Sequence, residues 1–242
     1  MPTSAPDCSG RRVAGGLVTI ATQADMEALA DVCSIPGGTL IVTGTALTTL
    51  SLPLLEYVRA EFTISNNSAL VSIDLPALVL TQGDLLISNN PALESISMPA
   101  MRSFYGRMGG AVLTSIELPA LEEAHGNLAF VASPALATFS LPALRDVRGN
   151  LRIGLANVQT LTFPSLTDVG IDVDVSDNAS LTSVSFPSLA TVEDSFRIVN
   201  NEVLTSISAP ELQAGSSIAI FNDPALTSCT GASIVDFGDC VQ

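Results

Sequence analysis

A proline-centred repeat runs through almost the whole chain and constrains its fold more than any other feature of the sequence. The repeating unit has the form L-x-I-x-N-N-x-x-L-T-S-I-S-L-P-x-L-x-x-V-x-G. Successive prolines are 23, 23, 20, 23, 22, 23 and 23 residues apart, at Pro53, Pro76, Pro99, Pro119, Pro142, Pro164, Pro187 and Pro210. A fixed period of about 20–50 residues is the signature of architectures in which each repeat packs against its neighbours.

Each repeat predicts three short strands, because apolar and polar residues alternate in three places. In the third repeat the inward pairs are Leu85 with Ile87, Ile96 with Met98, and Met101 with Phe104. Asn, Gly and Pro separate the pairs, as turns require. Three strands and three corners in about 23 residues make one coil, so we predict an all-β fold: a right-handed parallel β-solenoid of about nine 23-residue coils. A leucine-rich α/β horseshoe is the alternative, but the proline in every unit disfavours a helix there.

Stacked coils place equivalent side chains in columns. One predicted core column is Phe62, Leu85, Leu128, Leu151, Val173, Phe196 and Ile218, and a second is Ile73, Ile96, Ile116, Phe139, Leu161, Val184 and Ile207. Burying each large side chain stabilises the fold by about 1.5–3 kcal/mol. The repeated corner residues Asn67, Asn90, Asn178 and Asn201 are interpreted as structural, because an Asn amide can bond to the neighbouring coil.

The four cysteines lie near the two ends of the chain, which favours the pairs Cys8–Cys33 and Cys229–Cys240. The spacing is not that of a metal site, so we expect disulfides and an extracytoplasmic location, secreted or at the cell surface. The start, MPTSAPDC, is typical of a mature secreted protein. We predict one domain with three parts: an N-terminal cap over 1–37, solenoid repeats over 38–228, and a disulfide cap over 229–242. The N-terminal cap would contain a short capping helix over 22–33, begun by a capping box of Thr22 and Asp25.

Charge and hydropathy exclude several classes of partner. The chain has a net charge of −15, with nine Arg and no Lys, so it would repel nucleic acid and anionic membranes. There is no run of about 18 apolar residues, so we expect no membrane insertion. No motif in the sequence indicates a cofactor, a metal site or a catalytic constellation, and we expect no enzymatic activity.

The residues also resemble a known family. The segment GLVTIATQADMEALADVC, the Gly-initiated strand GGTLIVTG, and the L-x-I-x-N-N and L-x-x-I-x-L-P-x-L repeats are similar to the receptor L-domain superfamily. The likeness is closer to fungal cell-wall L-domain-like proteins and bacterial secreted relatives than to the L domains of insulin- and epidermal-growth-factor-type receptors, and it covers about residues 8–240. It implies an extracellular β-solenoid of leucine-rich-type repeats. The cysteine-rich and kinase modules of the receptors are missing from this sequence, so receptor signalling is not implied.

A candidate binding surface surrounds the shortest repeat. Five of the nine arginines lie between 102 and 152, in a chain that is otherwise strongly acidic. We predict that this cluster docks a partner, and its members are Arg102, Tyr105, Arg107, His125, Arg145, Arg148 and Arg152. Internal ion pairs with nearby carboxylates are the competing explanation. Farther along, Arg152, Asp174 and Arg197 are predicted to form an alternating outward column.

These observations support a recognition or adhesion module that binds an unknown extracellular protein or glycan. The alternative is a structural or self-assembling cell-envelope component. A third hypothesis is ice binding, because the outward residues before each proline form a grid of hydroxyls. That grid is Thr49/Ser51, Ser72/Asp74, Ser95/Ser97, Ser115/Glu117, Thr138/Ser140, Thr160/Thr162, Ser183/Ser185 and Ser206/Ser208.

Overall fold

The chain winds into a parallel β-solenoid of about nine coils, most of them 22 or 23 residues long. A computed structural model of the protein describes residues 8, 10–109, 113–131, 133–213, 217–234 and 238–240, with the side chains of 107–109 left out. Every strand pairing in these residues is parallel, and nearly all are in register from coil to coil. The all-β solenoid predicted from the repeat is therefore confirmed.

Twenty-six short strands, one α-helix and one 3-10 helix are present in the described residues. The strands are β1 (Arg12–Val13), β2 (Val18–Ile20), β3 (Val32–Ile35), β4 (Leu40–Thr43), β5 (Thr49–Ser51), β6 (Tyr57–Val58), β7 (Phe62–Ser65), β8 (Ser72–Asp74), β9 (Leu80–Ser88), β10 (Ser95–Ser97), β11 (Ser103–Gly109), β12 (Ser115–Glu117), β13 (Glu123–Ala124), β14 (Asn127–Val131), β15 (Thr138–Ser140), β16 (Asp146–Val147), β17 (Leu151–Gly154), β18 (Thr160–Thr162), β19 (Asp168–Val169), β20 (Asp172–Ser176), β21 (Ser183–Ser185), β22 (Thr191–Val192), β23 (Ser195–Val199), β24 (Ser206–Ser208), β25 (Ser217–Phe221) and β26 (Ser228–Thr230). The helices are α1 (Gln23–Glu27) and the 3-10 helix Gly238–Cys240.

These strands form one large and two small sheets in the part of the chain that is described. Two strand positions of each coil build a 17-stranded sheet, in which the long strands β9 and β11 run through both positions. The third position builds a five-stranded sheet, β5-β8-β10-β12-β15, and a four-stranded sheet, β18-β21-β24-β26. The second predicted core column is therefore divided between two sheets, after Phe139. An edge-on contact between the rings of Phe139 and Phe163, 5.7 Å apart, spans the division.

The first predicted core column changes register at the short coil, which is the 20-residue repeat between Pro99 and Pro119. Leu85 faces Gly106 in the next coil, whereas Leu128 faces Met108. The prediction that Leu85 and Leu128 stack in one column is therefore wrong. The short coil moves the register by two residues, and because side chains alternate with period two, both leucines still point inward. Each is fully buried.

The repeated asparagines form a buried ladder, as predicted. The Nδ2 of Asn67 donates to the carbonyl oxygen of Val42 at 3.0 Å and to Oδ1 of Asn90 at 3.1 Å. The Nδ2 of Asn178 makes the same two bonds to its neighbouring coils, to the carbonyl of Ile153 in the preceding coil and to Oδ1 of Asn201 in the next. All four asparagines are buried completely. The ladder satisfies backbone groups at a corner where no strand can do so.

A glycine at another corner is required by the close approach of successive coils. A Cβ atom added to Gly126 would lie 1.9 Å from the carbonyl oxygen of Gly106, and one added to Gly38 would lie 1.8 Å from that of Gly16. Only a residue without a side chain fits between two stacked backbones at this distance. The glycine that ends the repeat consensus therefore has a packing function.

The N-terminal helix is shorter than predicted. The capping box is present, since Thr22 and Asp25 bond reciprocally, but α1 covers only Gln23–Glu27. The capping helix predicted over 22–33 is not found, because Val32–Ile35 forms β3 and pairs with neighbouring strands. Strand pairing and the disulfide at Cys33 hold this segment extended.

Both predicted disulfides are confirmed, Cys8–Cys33 at one end and Cys229–Cys240 at the other. They are consistent with an extracytoplasmic location. Among the described residues, neither helix has the length or apolar character needed to span a membrane.

Candidate functional site

Three successive coils bring most of the predicted binding residues to one side of the solenoid. We call the group formed by Arg102, Tyr105, His125, Arg145 and Arg148 the short-coil patch. Its residues lie on or beside β11, β13 and β16, the strands in one position of neighbouring coils. Parallel in-register pairing places these side chains in columns on the surface.

The first column of the patch alternates in charge. Arg102 and Glu122 form an ion pair, with 3.3 Å between Nη1 and Oε1. The backbone N–H of Arg145 donates to the carbonyl of Glu122 at 2.8 Å, which places Arg145 one coil farther along. The order is therefore cation, anion, cation. Because these side chains are largely exposed, each such pair stabilises the fold by only about 0.2–1 kcal/mol.

The second column stacks Tyr105 on His125. Their ring centroids are 4.2 Å apart and the rings are nearly parallel, at 13°. The His125 side chain is only 2% exposed, and its Nε2 lies 3.0 Å from Oε2 of Glu123. Burial lowers the pKa of His125 and the nearby Arg148 lowers it further, so the imidazole is neutral at pH 7 and donates an ordinary hydrogen bond. His125 therefore positions Tyr105 and Glu123, and offers little surface of its own.

A column of carboxylates lies between the column that begins at Arg102 and the column that begins at Tyr105. Glu123 faces Asp146 in the next coil, and Asp146 faces Asp168 in the coil after it. Burial raises the pKa of Asp146, and the neighbouring Asp168 and Glu123 act in the same direction. Arg148 opposes this rise, with its Nε 3.8 Å from Oδ1 of Asp146. The patch is thus a mixed-charge surface whose arginines are partly neutralised by the protein itself.

The remaining two predicted members are placed differently. Arg152 lies on β17, across a corner from Arg148, and its Nη2 is 3.4 Å from Oδ2 of Asp172. The side chain of Arg107 lies outside the described residues, although its backbone belongs to β11. Sequence reasoning thus identified a region whose side chains the fold brings together on two adjoining surfaces.

The alternating column predicted farther along is confirmed in register. Arg152 faces Asp174, and Asp174 faces Arg197. The second pair makes an ion pair, with Nε of Arg197 at 3.7 Å from Oδ1 of Asp174. The guanidinium of Arg197 also lies 5.6 Å from the centre of the Phe221 ring, a cation–π distance.

The predicted hydroxyl grid is divided between the two small sheets. The five-stranded sheet carries the two charged members, Asp74 and Glu117. The four-stranded sheet carries only hydroxyls outward, namely Thr160, Thr162, Ser183, Ser185, Ser206, Ser208, Ser228 and Thr230. An uncharged, regular face is unusual on a chain with a net charge of −15.

Sequence reasoning missed one residue, Asp223. It occupies the next position of the asparagine ladder, 22 residues after Asn201, so the repeat spacing could have revealed it. Its side chain is buried, and burial raises its pKa to about 6. A buried carboxyl in place of an amide changes the hydrogen bonds available at the end of the ladder.

The described residues contain no group of three or more His, Cys, Asp and Glu side chains that could hold a metal ion. Comparisons with protein-family models, with curated proteins and with solved structures found no match to this chain.

Proposed function

We propose that this chain is a non-enzymatic extracellular recognition or adhesion module that binds a protein or glycan through the short-coil patch. The observation that carries the proposal is the in-register presentation of Arg102, Tyr105, Arg145 and Arg148 on neighbouring coils of one side. Two disulfides and the resemblance to receptor L domains support an extracellular setting.

The stacked frame favours recognition because the backbone that carries these side chains is already in place before a partner binds, which lowers the ordering cost of binding. The arginines present hydrogen-bond donors, the intervening carboxylates present acceptors, and Tyr105 adds a partly exposed ring. Such a surface suits a partner with both donors and acceptors, as proteins and glycans have. Charge complementarity would contribute more to specificity and association rate than to affinity.

The experiment is a binding screen of the pure protein against glycans and extracellular proteins, repeated with Arg145→Glu/Arg148→Glu. We expect the double variant to lose at least tenfold in affinity for any partner found, while its circular dichroism is unchanged. Arg197→Glu is the control for a single charge reversal, since it lies on β23, outside the patch. Equal binding by the double variant and the wild type would remove the patch from consideration.

A structural role in a cell envelope is the second candidate, and the uncharged hydroxyl face favours it. Two copies can approach through the four-stranded sheet without the repulsion that the rest of the acidic surface would cause. Ordered homo-polymerisation by light scattering, without a heterologous partner, would support this role. The same face underlies the ice-binding hypothesis, which an ice recrystallisation assay tests directly.

A further inference from the structure

We propose that the C-terminal cap is a pH-dependent closure, which the carboxyl of Asp223 holds shut when protonated and loosens when ionised. The C-terminal cap is defined here as residues 229–234 and 238–240. The inference is independent of the proposed partner binding, and it rests on the way the asparagine ladder ends.

Asp223 is the last rung of the ladder. Its Oδ1 accepts two bonds from Asn201, one from the backbone N–H at 2.7 Å and one from Nδ2 at 3.2 Å. Oδ1 of Asn201 accepts the same pair of bonds from Asn178, each at 3.1 Å. The carboxyl therefore occupies the place of an amide, with Oδ1 in the role of the amide oxygen.

The other oxygen occupies the place of the amide nitrogen. In Asn201 that nitrogen donates to the backbone carbonyls of Val175 and Val199, at 3.1 and 3.2 Å. An ionised Asp223 cannot donate, whereas a protonated one carries an O–H. Within the described residues Oδ2 of Asp223 is buried and has no hydrogen-bond partner. An unpaired charged oxygen in such a site destabilises the closed cap.

The cap adds a second carboxylate rather than a cation. The backbone N–H of Asp223 donates to Oδ2 of Asp239 in the 3-10 helix, at 2.6 Å. In the described residues Asp239 is the one charged group that acts on the Asp223 carboxyl, and it raises the pKa of Asp223 together with burial, which is the larger cause. Asn201, which faces Asp223 from the preceding coil, is neutral. Ionisation thus brings two negative groups together across the cap.

The cap packs closely on the last coil. Gly238 packs so closely on β25 that an added Cβ would lie 1.5 Å from the carbonyl oxygen of Ile220. Ile234 is fully buried, and Cys240, in disulfide with Cys229, is only 5% exposed. Cys229 is already partly exposed, so opening the cap would make the buried Cys240 sulfur accessible to a reductant.

The test measures how fast a phosphine reduces each disulfide from about pH 4.5 to about pH 8. Released thiols are trapped with a maleimide and counted by mass spectrometry. The rate for Cys229–Cys240 is divided by that for Cys8–Cys33, which lies at the other end of the solenoid and cancels the pH dependence of the reagent. The pKa of Asp223 is about 6 in the closed cap and would return to its ordinary 3.8 when the cap opens. This difference predicts that the ratio rises by about 25-fold between about pH 4.5 and about pH 8.

Asp223→Asn restores the amide and should give a ratio that does not change with pH. Asp239→Asn keeps the titrating carboxyl but removes its neighbour, so the rise should remain and its midpoint should move to lower pH. The inference is overturned if the wild-type ratio is constant, or if Asp223→Asn shows the same rise. Should Asp223→Asn fail to fold, an unchanged midpoint in Asp239→Asn would also contradict it.

Discussion

Replacing Asn178 by Ala should destabilise the solenoid more than any change of similar size on its surface. The side chain accepts a bond from the N–H of Ala156 at 3.2 Å and donates to the carbonyls of Ile153 and Ser176 at 3.2 and 3.0 Å. It also donates to Oδ1 of Asn201 at 3.1 Å. All of this lies in a fully buried corner, where an alanine offers no replacement for these bonds.

The size of the stability loss in Asn178→Ala follows from the backbone and side-chain groups that lose their hydrogen-bond partners. A buried N–H that loses its acceptor costs about 1–3 kcal/mol. A lost hydrogen bond costs about 0.5–1.5 kcal/mol when the remaining group still has another hydrogen-bond partner. We therefore expect Asn178→Ala to lower the free energy of unfolding by about 3–5 kcal/mol. Urea denaturation followed by circular dichroism measures this, provided that the transition is single for both proteins.

Asn157→Ala is the matched control, at the same corner of the preceding coil. Asn157 is exposed, and its Oδ1 accepts one bond from the hydroxyl of Ser180. The control should change stability by no more than about 0.5 kcal/mol. A loss below about 1 kcal/mol for Asn178→Ala, or equal losses for the two variants, would refute the view that the buried ladder stabilises the corner.

Three further outcomes are expected. The folded state raises the pKa of Asp223 from 3.8 to about 6 and so holds its proton more tightly. The free energy of unfolding should therefore fall by about 3 kcal/mol as pH rises from about 3 to about 7, and urea titrations of Asp223→Asn should show no such fall. Gly126→Ala forces a Cβ to within 1.9 Å of a backbone oxygen and should lower the melting temperature by several degrees, whereas Gly15→Ala, with nothing within 4 Å, should not. Removing the Cys8–Cys33 disulfide with paired Ala substitutions should cost about 3 kcal/mol, and a urea midpoint equal to that of the wild type would contradict this.

The candidate site was predictable in its location but not in its electrostatics. The clustering of arginines pointed to the short coil, and the fold does bring Arg102, Arg145 and Arg148 together. The distances that pair them with carboxylates depend on which residues share a column across coils. His125 shows the same limit, because its burial results from stacking on Tyr105, a residue 20 positions away.

The repeat by itself determined the solenoid, its coil length and the inward residues of each strand. These features follow from local alternation and a constant period, which do not depend on what any one coil contacts. Tertiary structure alone decided the two-residue register change at the short coil, the division of the hydroxyl grid into two sheets, and the early end of α1. Each of these is a compromise between neighbouring coils, since backbone hydrogen bonds must be satisfied across a junction where two successive repeats differ in length or composition.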